Sequence, residues 1–396
     1  MTLVRAVDDG PQILSTATPW EVARWTAWRA ATPLPPAETS LREAAGLRLA
    51  APLRSLVALP GFDTAAMDGY AVAGRPPWQV VGGVLAGRER YDRLLEPGSA
   101  VEIATGAEVP LGTEAVLPIE ESARLGDMVA GEIAPGRHIR RRGEDCPEGH
   151  HIVAAGARVT PALLGLAASL GHDTLTVHPL PRVTALVTGD EVVPFGLPGR
   201  GRVRDAIGPM LPGLVSWAGG SLGGALRVGD TADALTRAIA GSDADVVAVC
   251  GASSVGPADH LRAVLAELGA KVLVAGVACR PGHPQVLARL PDGRVLVGLP
   301  GNPYAALVAA MTLLVPVLAG LEGRPFPVGS RSAIMGEVRP RPYDTRLVAV
   351  RRTERGAAPV GHDRPGTLWG AALAEALAVV PPGWQGEPVE LLDLPG

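Results

Sequence analysis

The sequence predicts a multidomain α/β and β chain. Its centre is a doubly wound, mostly parallel sheet, flanked by a mixed α/β N-terminal region and a small β-rich C-terminal module. Three observations lead there. Between Pro181 and about Gly323, apolar runs of strand length alternate with helical stretches, the pattern of parallel strands joined by crossover helices. Pro and Gly cluster near 178–182 and 323–328, which marks boundaries on both sides. The chain has 396 residues and a hydrophobic fraction of 47%, enough for several buried cores.

In chain order, residues 20–30 and 39–50 carry helical periodicity. Short apolar runs broken by Gly and Pro follow at 71–72, 78–81 and 115–119, which predicts an irregular β-rich insert. In the centre, strands are expected at 183–187, 226–228, 246–250, 271–274 and 295–298. Helices are expected near 209–218, 232–240 and 257–268, and from Pro303 onward. The stretch 304–321 is nearly long and apolar enough to cross a membrane. It follows a strand and a Pro-Gly-Asn-Pro turn, contains Pro316 and lacks an aromatic belt, so a buried helix is predicted instead. From about Pro325, short strands surround one apolar helical stretch at 369–378.

Composition narrows the function. A net charge of -4 with no long run of one sign excludes a general nucleic-acid binder, which needs a basic face. A local basic patch can still hold an anion, and nearly every basic residue is Arg, with Lys271 the only lysine. The three cysteines, Cys146, Cys250 and Cys279, form neither a disulfide framework nor a CxxC metal site. The N-terminus lacks a basic-then-apolar signal pattern, so a cytoplasmic protein outside any membrane is expected.

The central region repeats one local design: LVTGDEVV at 186–193, AVCGASSVGPADH at 248–260 and VGLPGNPYAAL at 297–307. Each ends a strand with a Gly-containing loop before a helix. Ligands of doubly wound sheets sit at such strand ends, and glycine backbones with helix-start N–H groups suit phosphate. A phosphate-bearing ligand is therefore expected at Thr188, Gly189, Gly251, Pro300, Gly301 and Asn302. GGSLGG at 219–224 follows a helix, which is the wrong context for a dinucleotide fingerprint. ASSVG at 252–256 has Ala252 where a nucleophile elbow needs Gly, so Ser253 and Ser254 read as phosphate or oxyanion contacts.

Carboxylates recur beside these loops: Asp190, Glu191, Asp205 and Asp259, with Asp63, Asp68, Glu144 and Asp145 in the N-terminal region. Each alone reads as a cap or turn residue. Together beside a phosphate they call for a cation, and Mg²⁺ is held by one or two carboxylates plus phosphate oxygens. The cationic candidates are Arg137, Arg140, Arg141, Arg142, Arg280 and His283. Arg is a good clamp for tetrahedral oxyanions because its donors form a rigid planar fork.

The segments PGFDTAAMDGYAV, ATGAEVPLGTEAVLPIEE, RHIRRRGEDCPEG, TGDE, GASSVGPAD, RPGHP and LPGNP follow one another in an order and spacing that resembles the molybdopterin molybdotransferase family (MoeA-type, including the gephyrin E-domain). The likeness covers nearly the whole chain, and its AMDGYAV and TGAxxPxGxxAV segments are the specific ones. It implies a region of two interleaved subdomains at 1–178 with a β-rich insert at about 53–138. A MogA-like pterin-binding domain at 179–324 and a small β-barrel at 325–396 complete the expected architecture. It also implies a homodimer with the cleft between subunits, and molybdoenzymes or other cofactor-pathway proteins as partners. The implied reaction converts adenylylated molybdopterin and molybdate to molybdenum cofactor and AMP, with Mg²⁺.

By motif position, Asp63, Thr105, Asp145, Glu191, Asp205 and Asp259 match the family's active-site residues, with Asp205 and Asp259 as the Mg²⁺ ligands. Arg280, His283, Arg351, Ser253 and Ser254 would contact molybdate or phosphate. Several positions depart from the family pattern. Thr64-Ala65 replaces Asn-Ser, Ala206-Ile207 follows Asp205 in place of Ser-Asn, and Gly251-Ala252-Ser253-Ser254 replaces Gly-Gly-x-Ser. Arg280-Pro281-Gly282-His283-Pro284 replaces Lys-Pro-Gly-Lys-Pro, and Pro365-Gly366-Thr367 replaces Gly-Ser-His. The retained carboxylates point to an active insertase. The eroded Lys and Ser positions point to a paralogue that carries the cofactor or its precursor without turning it over.

Overall fold

A computed structural model describes residues 17–87, 90–251 and 260–396. The chain forms two compact units. One combines the residues up to Pro35 with His178–Gly396, and the other is Pro36–Val177.

In the first unit a six-stranded sheet runs in the order Ala225–Arg227, Val183–Val187, Val246–Cys250, Val295–Leu299, Val286–Arg289, Lys271–Val274. The first four strands are parallel, with Val183 beside Val246 and Val246 beside Val295. The last two join antiparallel. Strands Val246–Cys250 and Val295–Leu299 are buried at every position, as central strands covered on both faces must be. Alternation along them sorts side chains to two cores. Ala185, Ala248, Cys250 and Val297 pack with helices Leu211–Trp217 and Pro303–Ala309. Leu186, Val247, Val249 and Leu296 pack with helices Ala232–Ala240 and Leu261–Glu267 on the other face. The sheet is doubly wound, as the alternation in the sequence predicts. The antiparallel strand Val286–Arg289 was not predicted, because RPGHP hides its start.

The apolar stretch beginning at Pro303 is a buried helix through Leu321, with all of its most apolar window inside the protein. Its middle, Ala310–Leu314, widens to π-helical spacing. Pro316 has no N–H for the carbonyl of Thr312, so the regular ladder is broken where the widening lies. Helix Trp20–Ala30 packs against it through Ala23 and Ala27, which are fully buried. A Cβ at Gly320 would stand 2.6 Å from the Trp28 carbonyl oxygen, so this crossing requires glycine.

Strand Val277–Arg280 leaves the central sheet for a seven-stranded one. Its path is Thr18–Pro19, Val277–Arg280, Thr345–Thr353, Ala376–Val380, Val389–Asp393, Ser330–Ser332, with Gly356–Pro359 beside Thr345–Thr353. Among the described residues these pairings trace an open path, and two of the strands come from outside the C-terminal stretch. The helix predicted at 369–378 is only half correct: Trp369–Leu373 is helical, but Ala376–Val380 is a fully buried strand paired on both sides. A short, continuous apolar run has no periodicity with which to tell the two apart.

In the second unit, a six-stranded sheet runs Ala123–Leu125, Met128–Ala130, Trp78–Val84, Ser99–Ile103, Gly69–Val72, Ala115–Pro118. The helix predicted at 39–50 is absent. Strand Ala37–Ser40 pairs with Thr174–His178, and a turn leads to strand Arg48–Leu49. Leu41, Ala44, Leu47 and Leu49 share one core, and their spacing imitates a helical stripe.

Candidate active site

The carboxyl ends of the parallel strands open into a cavity of about 660 Å³. It is lined by Thr188, Glu191, Asp205, Gly251, Gly301 and Asn302, among others. Three loops that lie far apart in the chain thus meet. Thr188 Oγ1 donates to the Cys250 carbonyl at 3.1 Å, locking the first loop to the second. Gly251 has φ +104, and a Cβ there would stand 2.9 Å from Thr188 O and Oγ1, so no other residue fits. A Cβ at Gly301 would lie 3.5 Å from Gly251 Cα, which places the third loop against the second.

A two-stranded parallel ladder, Val192–Val193 with Val203–Arg204, carries the acidic pair. Val203 N–H donates to Glu191 O and Asp205 N–H to Val193 O, each at 2.9 Å. Asp205 Oδ1 accepts from Ile207 N at 3.0 Å and Gly208 N at 2.9 Å, as a capping carboxylate does. Its Oδ2 has no partner among the described residues and stays available on the cavity wall. Cys250 is fully buried beside it, and burial, helped by the Asp205 charge, pushes its thiol up to about 12. It stays protonated and is not a nucleophile.

The helix start at Pro303 is less open to anions than the sequence suggests. Pro303 has no N–H, and Tyr304 N–H donates to Pro365 O at 3.0 Å. Gly366 from that same loop lines the cavity, so the C-terminal stretch supplies part of its wall. Tyr304 Oη reinforces the contact by donating to Leu347 O at 3.1 Å.

The other expected groups lie outside this lining. Arg280 forms an ion pair with Asp344 at 3.2 Å. His283 is half-buried, and Pro284 rather than its imidazole lines the cavity. Gln285, fully buried, holds the RPGHP turn by donating to Gly282 O at 2.8 Å. Arg351 donates to Leu373 O at 3.2 Å on an exposed strand position. Ser253, Ser254 and Asp259 lie outside the described residues. Among the described residues no group of three or more His, Cys, Asp or Glu forms a metal cage.

The second unit gathers Asp63, Thr105 and Asp145. Pairing of Thr64–Ala65 with Ile139–Arg140 joins the GFDTAA segment to RHIRRR. Asp63 accepts from Arg141 Nη1 at 2.6 Å and from Arg142 N at 2.8 Å. Burial would raise its pKa, but these two donors outweigh it and hold the carboxyl below its usual range. Asp145 pairs with Arg140 at 2.5 Å. Thr105 donates from both N and Oγ1 to Asp68 Oδ1, at 2.6 and 2.7 Å. Those bonds, the backbone one first, lower the Asp68 pKa.

Sequence reasoning missed Arg202, Arg204, Cys250 and Gly366 as cavity residues, and Gln285 as the support of the RPGHP turn. The RGRVRD run before Asp205 was a usable signal for the two arginines. Gly366 belongs to the Pro365-Gly366-Thr367 turn that the motif pattern marked, but its place in this cavity depends on the C-terminal stretch folding back to it.

Comparison with known proteins agrees with this fold. Residues 18–171 match the MoeA N-terminal region (domain I and II), and residues 184–320 match a probable molybdopterin binding domain. A molybdopterin molybdenumtransferase 2 of Mycobacterium tuberculosis is 35% identical over 322 residues, covering 76% of this chain and 79% of that protein. A molybdopterin molybdenumtransferase of Haemophilus influenzae is 35% identical over 297 residues, 72% of each chain. The crystal structure of a molybdopterin biosynthesis MoeA protein from Pyrococcus horikosii superposes with a TM-score of 0.81 at 26% identity, covering 96% of this chain and all (100%) of that one. With both of its larger regions matched and relatives aligned over most of their lengths, the chain belongs to the molybdopterin molybdenumtransferase family.

Proposed function

We propose that this chain is a transferase of molybdenum-cofactor biosynthesis that inserts molybdenum into adenylylated molybdopterin, giving molybdenum cofactor and AMP. The observation that carries this reading is the cavity where the Thr188, Gly251 and Gly301 loops meet beneath Glu191 and Asp205. At about 660 Å³ it lies within the range of ligand pockets, roughly 300–1,000 Å³. The pterin and its pyrophosphate lie along the glycine loops, where the lack of side chains permits close approach of backbone to phosphate.

The Asp205 Oδ2 oxygen on the cavity wall suits Mg²⁺, which takes one or two carboxylates and completes its shell with water and phosphate oxygens. Asp205, through Oδ2, and Asp259 would hold it, and it would supply charge neutralisation at the pyrophosphate. Asp205 also fixes its own turn through Oδ1, so the free oxygen has a defined direction. Each oxo group that molybdate loses as water takes up two protons, so an acid must stand near the dithiolate sulfurs. Glu191, on the cavity wall, would pass protons from solvent to the departing oxo groups. Ser253, Ser254, Arg280, His283 and Arg351 would contact molybdate or phosphate. Asp63, Thr105 and Asp145 complete the site in a homodimer, and the cofactor passes to cytoplasmic molybdoenzymes. The proposed domains are 1–178, 179–324 and 325–396.

The test is AMP release by purified protein given adenylylated molybdopterin, Mg²⁺ and molybdate, read together with activation of a cofactor-free molybdoenzyme. Molybdate-dependent release with activation is expected. Tight binding of the precursor without release overturns the insertase reading in favour of a carrier.

A further inference from the structure

We propose that Arg204 anchors the phosphate of the cavity's ligand and sets its preference for phosphorylated over neutral ligands. This rests on the reading of the cavity as a phosphate-bearing substrate site.

A phosphate or pyrophosphate in this cavity faces two carboxylates, Glu191 and Asp205, and needs compensating donors. Among the described residues, several of the donors near the strand ends are occupied. Pro303 has no N–H, and that of Tyr304 is bonded to Pro365 O. The N–H groups of Ile207 and Gly208 point at Asp205 Oδ1. Of the two arginines in the lining, Arg202 donates through Nη1 to the Asp190 carbonyl. Arg204 is exposed, lines the cavity, and its guanidinium has no hydrogen bond or ion pair among the described residues.

Its backbone is nevertheless fixed. Arg204 pairs with Val193 in the short parallel ladder, and the next residue, Asp205, donates its N–H to Val193 O at 2.9 Å. A guanidinium on a fixed strand, with its donors unoccupied, can close on two phosphate oxygens at once. Arg280, the arginine that the motif pattern favours, is instead paired with Asp344.

Isothermal titration with inorganic pyrophosphate and with adenosine, both in Mg²⁺ buffer, tests this. Arg204→Ala should raise the pyrophosphate dissociation constant about ten- to hundredfold, the range expected for losing a charged hydrogen-bonded pair. Arg204→Lys should recover part of the loss, because it restores the charge without the fork. Adenosine affinity should not change. Arg237→Ala, which removes the same charge from a distant helix surface, should bind pyrophosphate as the parent does. Undiminished pyrophosphate affinity in Arg204→Ala overturns the proposal. So does a parent protein that does not take pyrophosphate, or a parallel loss of adenosine binding. Arg204-dependent pyrophosphate binding without AMP release removes the insertase reading and leaves Arg204 in place. AMP release that Arg204→Ala does not impair, with pyrophosphate affinity intact, does the reverse.

Discussion

The two units hold their candidate site carboxylates by opposite means. In the N-terminal unit, Asp63 is held by Arg141 and Arg142, which lie 78 and 79 residues away, and Asp68 by Thr105, which lies 37 residues away. These pairs are exposed; the Asp63 contacts form where strands Thr64–Ala65 and Ile139–Arg140 adjoin, and the Asp68 contact where Gly69–Val72 pairs with Ser99–Ile103. In the unit with the central sheet, Asp205 is fixed by the N–H groups two and three residues ahead of it. Long-range ion pairs depend on the fold and are weakened by solvent and salt. A local cap forms wherever the turn forms and leaves the second oxygen for a ligand. The first arrangement positions charge at a surface; the second builds a rigid wall.

Three measurements break or sharpen this contrast. The largest effect is expected for Asp205→Asn. The amide oxygen still accepts the two turn N–H groups, so stability should shift by less than about 0.5 kcal/mol. AMP release should fall by about a hundredfold or more, because the charge on the free oxygen is gone. Unaltered cleavage would take Asp205 out of the mechanism and leave it a cap.

Next come two glycines, one in each region. Gly251→Ala places a Cβ 2.9 Å from Thr188 backbone and side-chain oxygens at φ +104, and should cost about 3 kcal/mol in urea unfolding. Gly106→Ala, beside Thr105, meets only the strain of φ +78, with nothing within 4 Å, and should cost about 1 kcal/mol. Equal losses would mean that the three-loop contact is not tight.

The smallest effect is expected for Asp63→Asn. The folded pKa of Asp63 lies below its unfolded value, so its stabilisation is present above about pH 4 and is lost as pH falls through the lowered folded value. Its side chain is 37% exposed, so the difference should stay under about 1 kcal/mol. The variant should therefore show a slightly flatter acid limb in unfolding curves recorded against pH. An unchanged limb would show that the Arg141 and Arg142 contacts add nothing to stability.

Much of the central domain was legible because its signals are local. Val246–Cys250 and Val295–Leu299 are unbroken apolar runs ending in glycine loops, and burial on both faces demands that composition. Of the loop glycines that the sequence marked, Gly251 and Gly301 line the cavity, whereas Gly189 lies outside the lining against the Glu191 side chain. Where signals were ambiguous the reading failed. The 39–50 stretch carries a helical spacing but folds as strand, turn and strand. The run at Ala376–Val380 becomes a strand because Thr345–Thr353 and Val389–Asp393 stand on either side to pair with it.

By itself, then, the sequence determined most of the alternation of central strands and helices, the burial of the helix from Pro303, and the loops that line the cavity. These follow from periodicity and from glycine, properties that a segment carries wherever it sits. Only the tertiary structure decided which donors remain available. Tyr304 N–H is occupied because the Pro365 loop arrives from the C-terminal sheet, Arg280 is occupied because Asp344 stands beside it, and Arg204 is left open on the cavity wall. A hydrogen-bonding group's availability depends on neighbours brought from elsewhere in the chain, and no local pattern records them.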